Sequence, residues 1–491
     1  MLFTEPTFLF LFLPVLLALY FASGVARAFR GRVSVHGTYG NGLLLVASVV
    51  FYAKGGGPFT WLMLASIAFN YSIAIAIDRR RGTPGAARLL ALAVAIDLGV
   101  LGVFKYANFF ADNLDALLLA VHARPIVVPR VLLPIGISFF TFHAISYVVD
   151  VYRRDAVAQK SPVHAALYLL LFPQLIAGPI IRYRDIAGQL AHRVVGLDDF
   201  AYGVRRFVIG LAKKVLIANI VAGPADAMFA MPPAQLSLAH AWLGLVCYTL
   251  QIYFDFSGYS DMAIGLGRLF GFRFPENFRW PYIADTVQDF WRRWHISLST
   301  WFRDYLYVPL GGNRVSAAAM YGNLVTVFFL CGLWHGASWN FVIWGLFHGT
   351  FLVVERLGLA RAVKRWWPPI RHAYLLVVVM IGWVFFRAET LTAALAYVKS
   401  LAGLAAAAPT PYLATWYLTP ELSLALAAGC IGSMPVVPAL ARWRDDLGNS
   451  RRSGFGWGLD FAGTAVLIVL LVASIMQVAA RTYNPFIYFR F

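Results

Sequence analysis

The stretch Val315 to Val354, VSAAAMYGNLVTVFFLCGLWHGASWNFVIWGLFHGTFLVV, contains no Asp, Glu, Lys or Arg. One helical crossing of a bilayer takes about 20 apolar residues. The run is about twice that length, so it has to fold as two helices. Gly336 to Asn340, GASWN, is the natural place for the break. His335 therefore stands at or near a helix end at membrane depth. Irregular backbone at that depth is tolerated only when buried in protein or facing a water-filled cavity. An ionisable residue in such a setting is a functional candidate by default. The plainer alternative is a neutral histidine bonded to a carbonyl in a packed core, and His143 and His348, in comparable apolar segments, read that way first.

Working outward, the whole chain shares this character. It is 60% apolar, 16% aromatic and 13% charged, with a mean hydropathy of +0.69. An ordinary soluble domain is about one-quarter charged, so the fold class expected is an all-α polytopic membrane protein. Windows of span-like composition recur from Thr7–Ala22 to Gly458–Met476, among them Leu89–Phe104, Leu132–Val149 and His164–Ile181. Several are too short to cross alone, which predicts about 10 to 12 crossings plus re-entrant and interfacial pieces. No A-x-A cleavage site follows the first segment, which reads as a retained anchor.

The net charge of +18 would suggest a nucleic-acid partner in a soluble protein. Here the basic residues cluster in loops between apolar spans, so anionic headgroups and the positive-inside bias explain them, and no nucleic acid is expected. Arg27, Arg30 and Arg32 follow the first segment, Arg79, Arg80 and Arg81 the third, and a loop with Asp112 and Asp115 lies after Leu89–Phe104. This alternation puts the N-terminus outside the cytoplasm. Arg442, Arg444, Arg451 and Arg452 put the C-terminal tail there too. Cys247, Cys331 and Cys430 lie in apolar segments without C-x-x-C spacing, so neither a metal nor a disulfide framework is expected.

One membrane domain, 1–491, is expected, with a functional core at 132–354 and an aromatic tail at 480–491. From Gln251 to Arg314 the polar residues concentrate. Asp255 and Asp261 flank a Ser-Gly pair in apolar surroundings, where an unpaired carboxylate costs several kcal/mol. They either cap a helix at a break or line an aqueous cavity. Between Asp289 and Arg303, DFWRRWHISLSTWFR, apolar residues fall on one face at 100° per residue, which predicts one amphipathic helix in or near the interface. His295 falls at its border beside Ser299. Ser299 and Asn340, with the two aspartates, are the cavity-lining candidates.

A lone intramembrane histidine suits general-base chemistry on a hydroxyl, since its unperturbed pKa is near 6.5. HExxH, G-x-S-x-G and phosphate-loop motifs are missing from the sequence, which argues against peptidase, serine hydrolase and nucleotide chemistry. Acyl transfer from a thioester to an alcohol is the economical reading.

Three blocks carry a family resemblance: DFSGYSDMAIGLGRLFGF, FWRRWHISLSTWFRDYLYVPLGGNR and LWHGASWNFVIWGLFHG. With the opening MLFTEPTFLF and the ending NPFIYFRF, they resemble the membrane-bound O-acyltransferases. The similarity is greatest to the bacterial branch of alginate acetylation and teichoic acid D-alanylation, and it covers essentially the whole chain. It implies a ring of transmembrane helices around a thinned centre, where a cytoplasmic funnel meets an outer one. It implies His335 as the catalytic base and His295 as a supporting group that orients substrate or relays the proton.

The resemblance further implies no bound cofactor, with acetyl-CoA or a carrier-protein thioester as the donor substrate. The acceptor implied is an exported polysaccharide, with periplasmic or extracellular acetyltransferase partner proteins. The protein would lie in the bacterial inner membrane. Tyr488, in a tail with Phe486, Phe489 and Phe491, is either an acyl carrier by resemblance or an interfacial aromatic anchor.

Two other classes compete. A transporter also needs broken helices and polar groups at depth, but transporters commonly carry internal repeats. Neither GYSDMAIG nor LWHGASWN recurs in the chain. A non-catalytic scaffold in a polysaccharide synthesis complex is the third reading.

Overall fold

In the computed structural model the described residues are 1–22, 32–34, 37–126, 128–405, 408, 412–450, 455–480 and 486–487. Arg27, Arg30, Arg451, Arg452, Tyr488, Phe489 and Phe491 lie outside them. Most of the described residues are helical, and the one sheet among them is the antiparallel pair Arg32–Ser34 with Val194–Gly196. Among the described residues, seven helices are long and apolar enough to cross a membrane, or eight if the pair Pro420–Gly432 and Val436–Trp443, bent by 63°, counts as one span. The protein is therefore an all-α polytopic membrane protein. The other expected crossings fall on helices that are shorter or less apolar, such as Phe8–Ala22 and Ile137–Arg153.

The residues pack as two compact units, Met1–Val204 with Ala263–Pro275 and Gly336–Ser338, and Arg205–Met262 with Glu276–His335 and Trp339–Phe491. In the first, the helix expected at Leu89–Phe104 runs from Pro84 to Ala120. Asp112 and Asp115 are thus helical, where a loop was expected. Apolar residues continue on both sides of the acidic pair, and Arg130 takes up the charge of Asp112 at 2.8 Å. The segment expected to span at His164–Ile181 forms two short helices, Pro162–Leu170 and Phe172–Leu175, followed by irregular chain. Pro173 sits in the first turn of the second helix, where its missing N–H is harmless. His143 in this unit accepts the backbone N–H of Ile181 at 3.3 Å, a structural role.

The second unit contains the hairpin announced by the uncharged run. Ala317–His335 and Trp339–Val354 form two helices separated by Gly336–Ser338, where the break was expected. Glycines let them approach closely, as in other membrane helix pairs. A Cβ on Gly332 would collide with the carbonyl oxygen of Phe341, and one on Gly345 with that of Phe328.

A second close crossing joins Gly210 and Gly258, where a Cβ on either would come within 2.6–2.8 Å of the other's carbonyl oxygen. That approach brings Lys213 and Lys214 beside the Leu238–Leu269 helix. The helix runs unbroken past Asp255 and Asp261, so neither residue caps a break. Each is neutralised by paired cations instead. Lys214 Nζ meets Asp255 Oδ1 at 2.7 Å, while Arg206 and Lys213 meet Asp261 at 2.6 and 2.7 Å.

Candidate active site

The Ala317–His335 helix ends on the histidine, and both helices of the hairpin supply its surroundings. His335 is 6% exposed. Its ring lies edge-on to Trp334 at 4.9 Å, Trp344 at 5.0 Å and Phe386 at 5.2 Å. Beside these contacts lies a narrow pocket lined by His335, Ile252, Phe256, Trp294, Trp344, Trp383, Phe386 and Ile487. Among the described residues, His335 is its one ionisable lining residue. The described lining therefore offers a single proton-transfer group in a largely aromatic box, where hydrogen bonds and charge act strongly. Trp344 adds a buried indole N–H with no acceptor among the described residues.

His295 was expected within one helix from Asp289 to Arg303. The structure breaks that helix into Val287–Arg293 and Ile296–Phe302. His295 stands between them with φ +45°, a left-handed conformation that is uncommon outside glycine. The break is held from a distance. Asn277 Oδ1 lies 3.1 Å from His295 Nδ1 and also accepts from the Ser297 N–H and hydroxyl, while the Ile296 N–H donates to the Asn277 carbonyl. Because Asn277 Oδ1 can only accept, the proton of a neutral His295 sits on Nδ1 and the Nε2 lone pair is a base. His295 lies outside the candidate spans, and burial pushes its pKa down to about 3.

His295 does not line the pocket. Its ring packs at 4.6 Å against Phe256, which does, and at 6.2 Å from Trp334, the chain neighbour of His335. The two histidines thus flank the same aromatic wall. The other candidates lie elsewhere. Ser299 sits one turn along from His295, its N–H bonded to the His295 carbonyl at 3.0 Å. Asn340 Nδ2 donates to the Ala388 carbonyl at 2.6 Å, tying the hairpin to the end of the Pro368–Arg387 helix. Asp255 and Asp261 are locked in the ion pairs above, and none of these four lines the pocket. Tyr488 is outside the described residues, although its neighbour Ile487 is a wall of the pocket. His348 is boxed between Trp291 at 5.1 Å and Trp344 at 5.2 Å.

Asn277, Trp344, Lys214 and Ile487 were not anticipated from the sequence. A lone asparagine between Glu276 and Phe278 was the available signal for the first. Lys213 and Lys214, between the apolar stretches 207–212 and 215–218, pointed to buried carboxylates.

A histidine poised at a break between two membrane-length helices can now be set beside known proteins. The model of the membrane-bound O-acyltransferase family, MBOAT, matches residues 130–394, which include both histidines and the hairpin. The chain is a membrane-bound O-acyltransferase. It is 42% identical over 513 residues to a probable alginate O-acetylase of Azotobacter vinelandii, covering 100% of both chains. It is 38% identical over 435 residues to a peptidoglycan O-acetyltransferase of Helicobacter pylori, covering 82% of this chain and 80% of that one. A teichoic acid D-alanyltransferase of Bacillus subtilis is 30% identical over 277 residues, 53% of this chain and 68% of that one. The enzyme class expected from the sequence, an acyltransferase, is therefore borne out.

Proposed function

We propose that this acyltransferase moves an acetyl group from a thioester on the cytoplasmic side of the inner membrane towards an exported, alginate-like polysaccharide. End-to-end similarity to a probable alginate O-acetylase supports the polymer class. The donor is acetyl-CoA or a carrier-protein thioester, acting as substrate, and the N-terminus lies outside the cytoplasm. A periplasmic or extracellular acetyltransferase partner completes delivery to the polymer.

One observation carries the mechanism: among the described residues, His335 is the single ionisable wall of a buried, largely aromatic pocket. In this reading the His335 imidazole takes the proton from an acceptor hydroxyl as that oxygen attacks the thioester carbonyl. The carbon–sulfur bond breaks, the proton passes to the leaving thiolate, and the products are an ester and a free thiol. The indole N–H of Trp344 is the proposed donor to the developing oxyanion. His295, its tautomer fixed by Asn277, orients the wall or relays the proton. Tyr488 is the proposed first acceptor, handing the acetyl group to the external partner.

Mass spectrometry of the C-terminal peptide tests this sequence of events in membranes supplied with acetyl-CoA. An acetyl ester on Tyr488 is expected in the wild type and none in His335→Ala. Equal acetylation in both would remove His335 from the chemistry.

A further inference from the structure

The pocket has one wall of a different origin from the others. Seven lining residues come from the body of the second unit, between Ile252 and Phe386, whereas Ile487 belongs to the end of the chain. Phe486 and Ile487 are nevertheless buried, at 5% and 4% exposure. Their attachment is polar and specific. The Ile487 backbone N–H donates to Asp255 Oδ2 at 2.8 Å, and the other carboxylate oxygen pairs with Lys214 Nζ at 2.7 Å. Phe486 packs on Tyr259 at 4.9 Å, with the Lys214 ammonium 5.8 Å from its ring centroid.

A buried main-chain N–H needs an acceptor, and a buried carboxylate needs a counter-charge. Asp255 meets both needs at once, which explains a carboxylate in the middle of an apolar helix and a lysine facing it from another. Because the contact is to the backbone, it sets the position of the Ile487 Cα whatever side chain stands there. The side chain then decides how far the pocket extends. Apart from Ile252, which sits within the long Leu238–Leu269 helix, the remaining walls are packed rings. Trp294 lies 4.9 Å from Trp383, and Trp344 lies 5.0 Å from His335, so these walls yield little room.

We propose that Ile487 is the specificity-determining residue that limits this enzyme to a short acyl group, and that Asp255, paired with Lys214, is the positioning residue that holds it. The inference rests on the assignment of this pocket to the reacting acyl group. One methylene in an apolar pocket discriminates by roughly 10- to 200-fold, enough for Ile487 to separate acetyl from propionyl transfer.

The test uses cells carrying the full-length chain and fed propionate, with propionyl and acetyl esters on the secreted polysaccharide counted by mass spectrometry. Ile487→Ala is expected to raise the propionyl-to-acetyl ratio at least about tenfold. The double variant Lys214→Met/Asp255→Leu removes the clamp without stranding a buried charge, and is expected to shift the ratio in the same direction. If the double variant does not accumulate, Ile487→Ala decides alone. An unchanged ratio, or loss of both esters at matched abundance, overturns the inference. His335→Ala separates it from the reading it rests on: wild-type amounts of both esters in that variant would dismiss the pocket assignment itself.

Discussion

Asn277 Oδ1 and His295 Nδ1 lie 3.1 Å apart across a turn that no helical period would contain. Asn277 Nδ2 is itself held by Ser260 at 2.9 Å, so the amide cannot rotate freely. Replacing Asn277 by Leu removes the acceptor for His295 and for Ser297. Acyl transfer is expected to fall by tenfold or more, since proton transfer by a positioned group contributes about 10²–10⁴-fold. Asn277→Asp, which keeps the acceptor, is expected to recover part of the loss. A Leu variant with wild-type transfer at equal abundance would mean that His295 needs no orientation.

The burial of His295 also has a pH signature. Its folded-state pKa is depressed to about 3, below the unfolded value near 6.5. The unfolded chain therefore binds the proton first as pH falls. Stability from this group is complete above pH 6.5 and is lost progressively between 6.5 and 3. Thermal unfolding of the detergent-solubilised protein at a series of pH values should show this decline, and His295→Gln should flatten it. An identical slope in the variant would contradict the buried neutral state.

Glu355 reaches across to cap the helix that leads into His295. Its carboxylate accepts the N–H groups of Val287 and Gln288 at 2.7 and 3.0 Å and the Tyr374 hydroxyl at 3.2 Å. Glu355→Ala is expected to destabilise the protein by about 1–3 kcal/mol, as when buried donors lose their acceptor. Thermal-shift measurements check this, and a change within error would show that other groups satisfy those amides.

The hairpin depends on missing side chains. Gly345→Val would drive a side chain into the Phe328 carbonyl and force the two helices apart. Folded protein recovered from membranes should drop sharply, whereas Gly463→Ala, at a glycine with open space around it, should not matter. Size-exclusion profiles of the two variants make the comparison, and equal recovery would argue against close packing at Gly345.

Much of this was legible in the sequence for identifiable reasons. The uncharged run from Val315 to Val354 exceeds one span, so a break beside His335 followed from bilayer thickness alone. The break at His295 was hidden because the apolar period continues through Trp294 while the cause of the turn, Asn277, lies upstream in a different segment. Asp255 and Asp261 were recognised as costly, but their partners Lys213 and Lys214 come from another helix, and only the Gly210–Gly258 crossing brings them together. The tail read as aromatic. That Ile487 closes the pocket depends on one backbone hydrogen bond to Asp255, which leaves no trace in composition or period.

In the proposed mechanism His335 performs the transfer chemistry. The most direct measurement is the acetyl content of the secreted polysaccharide in a deletion strain complemented with wild type or His335→Ala at matched membrane abundance. The rate of acetylation is expected to fall about 10²–10⁴-fold in the variant. Wild-type acetyl content in the variant would contradict that mechanism.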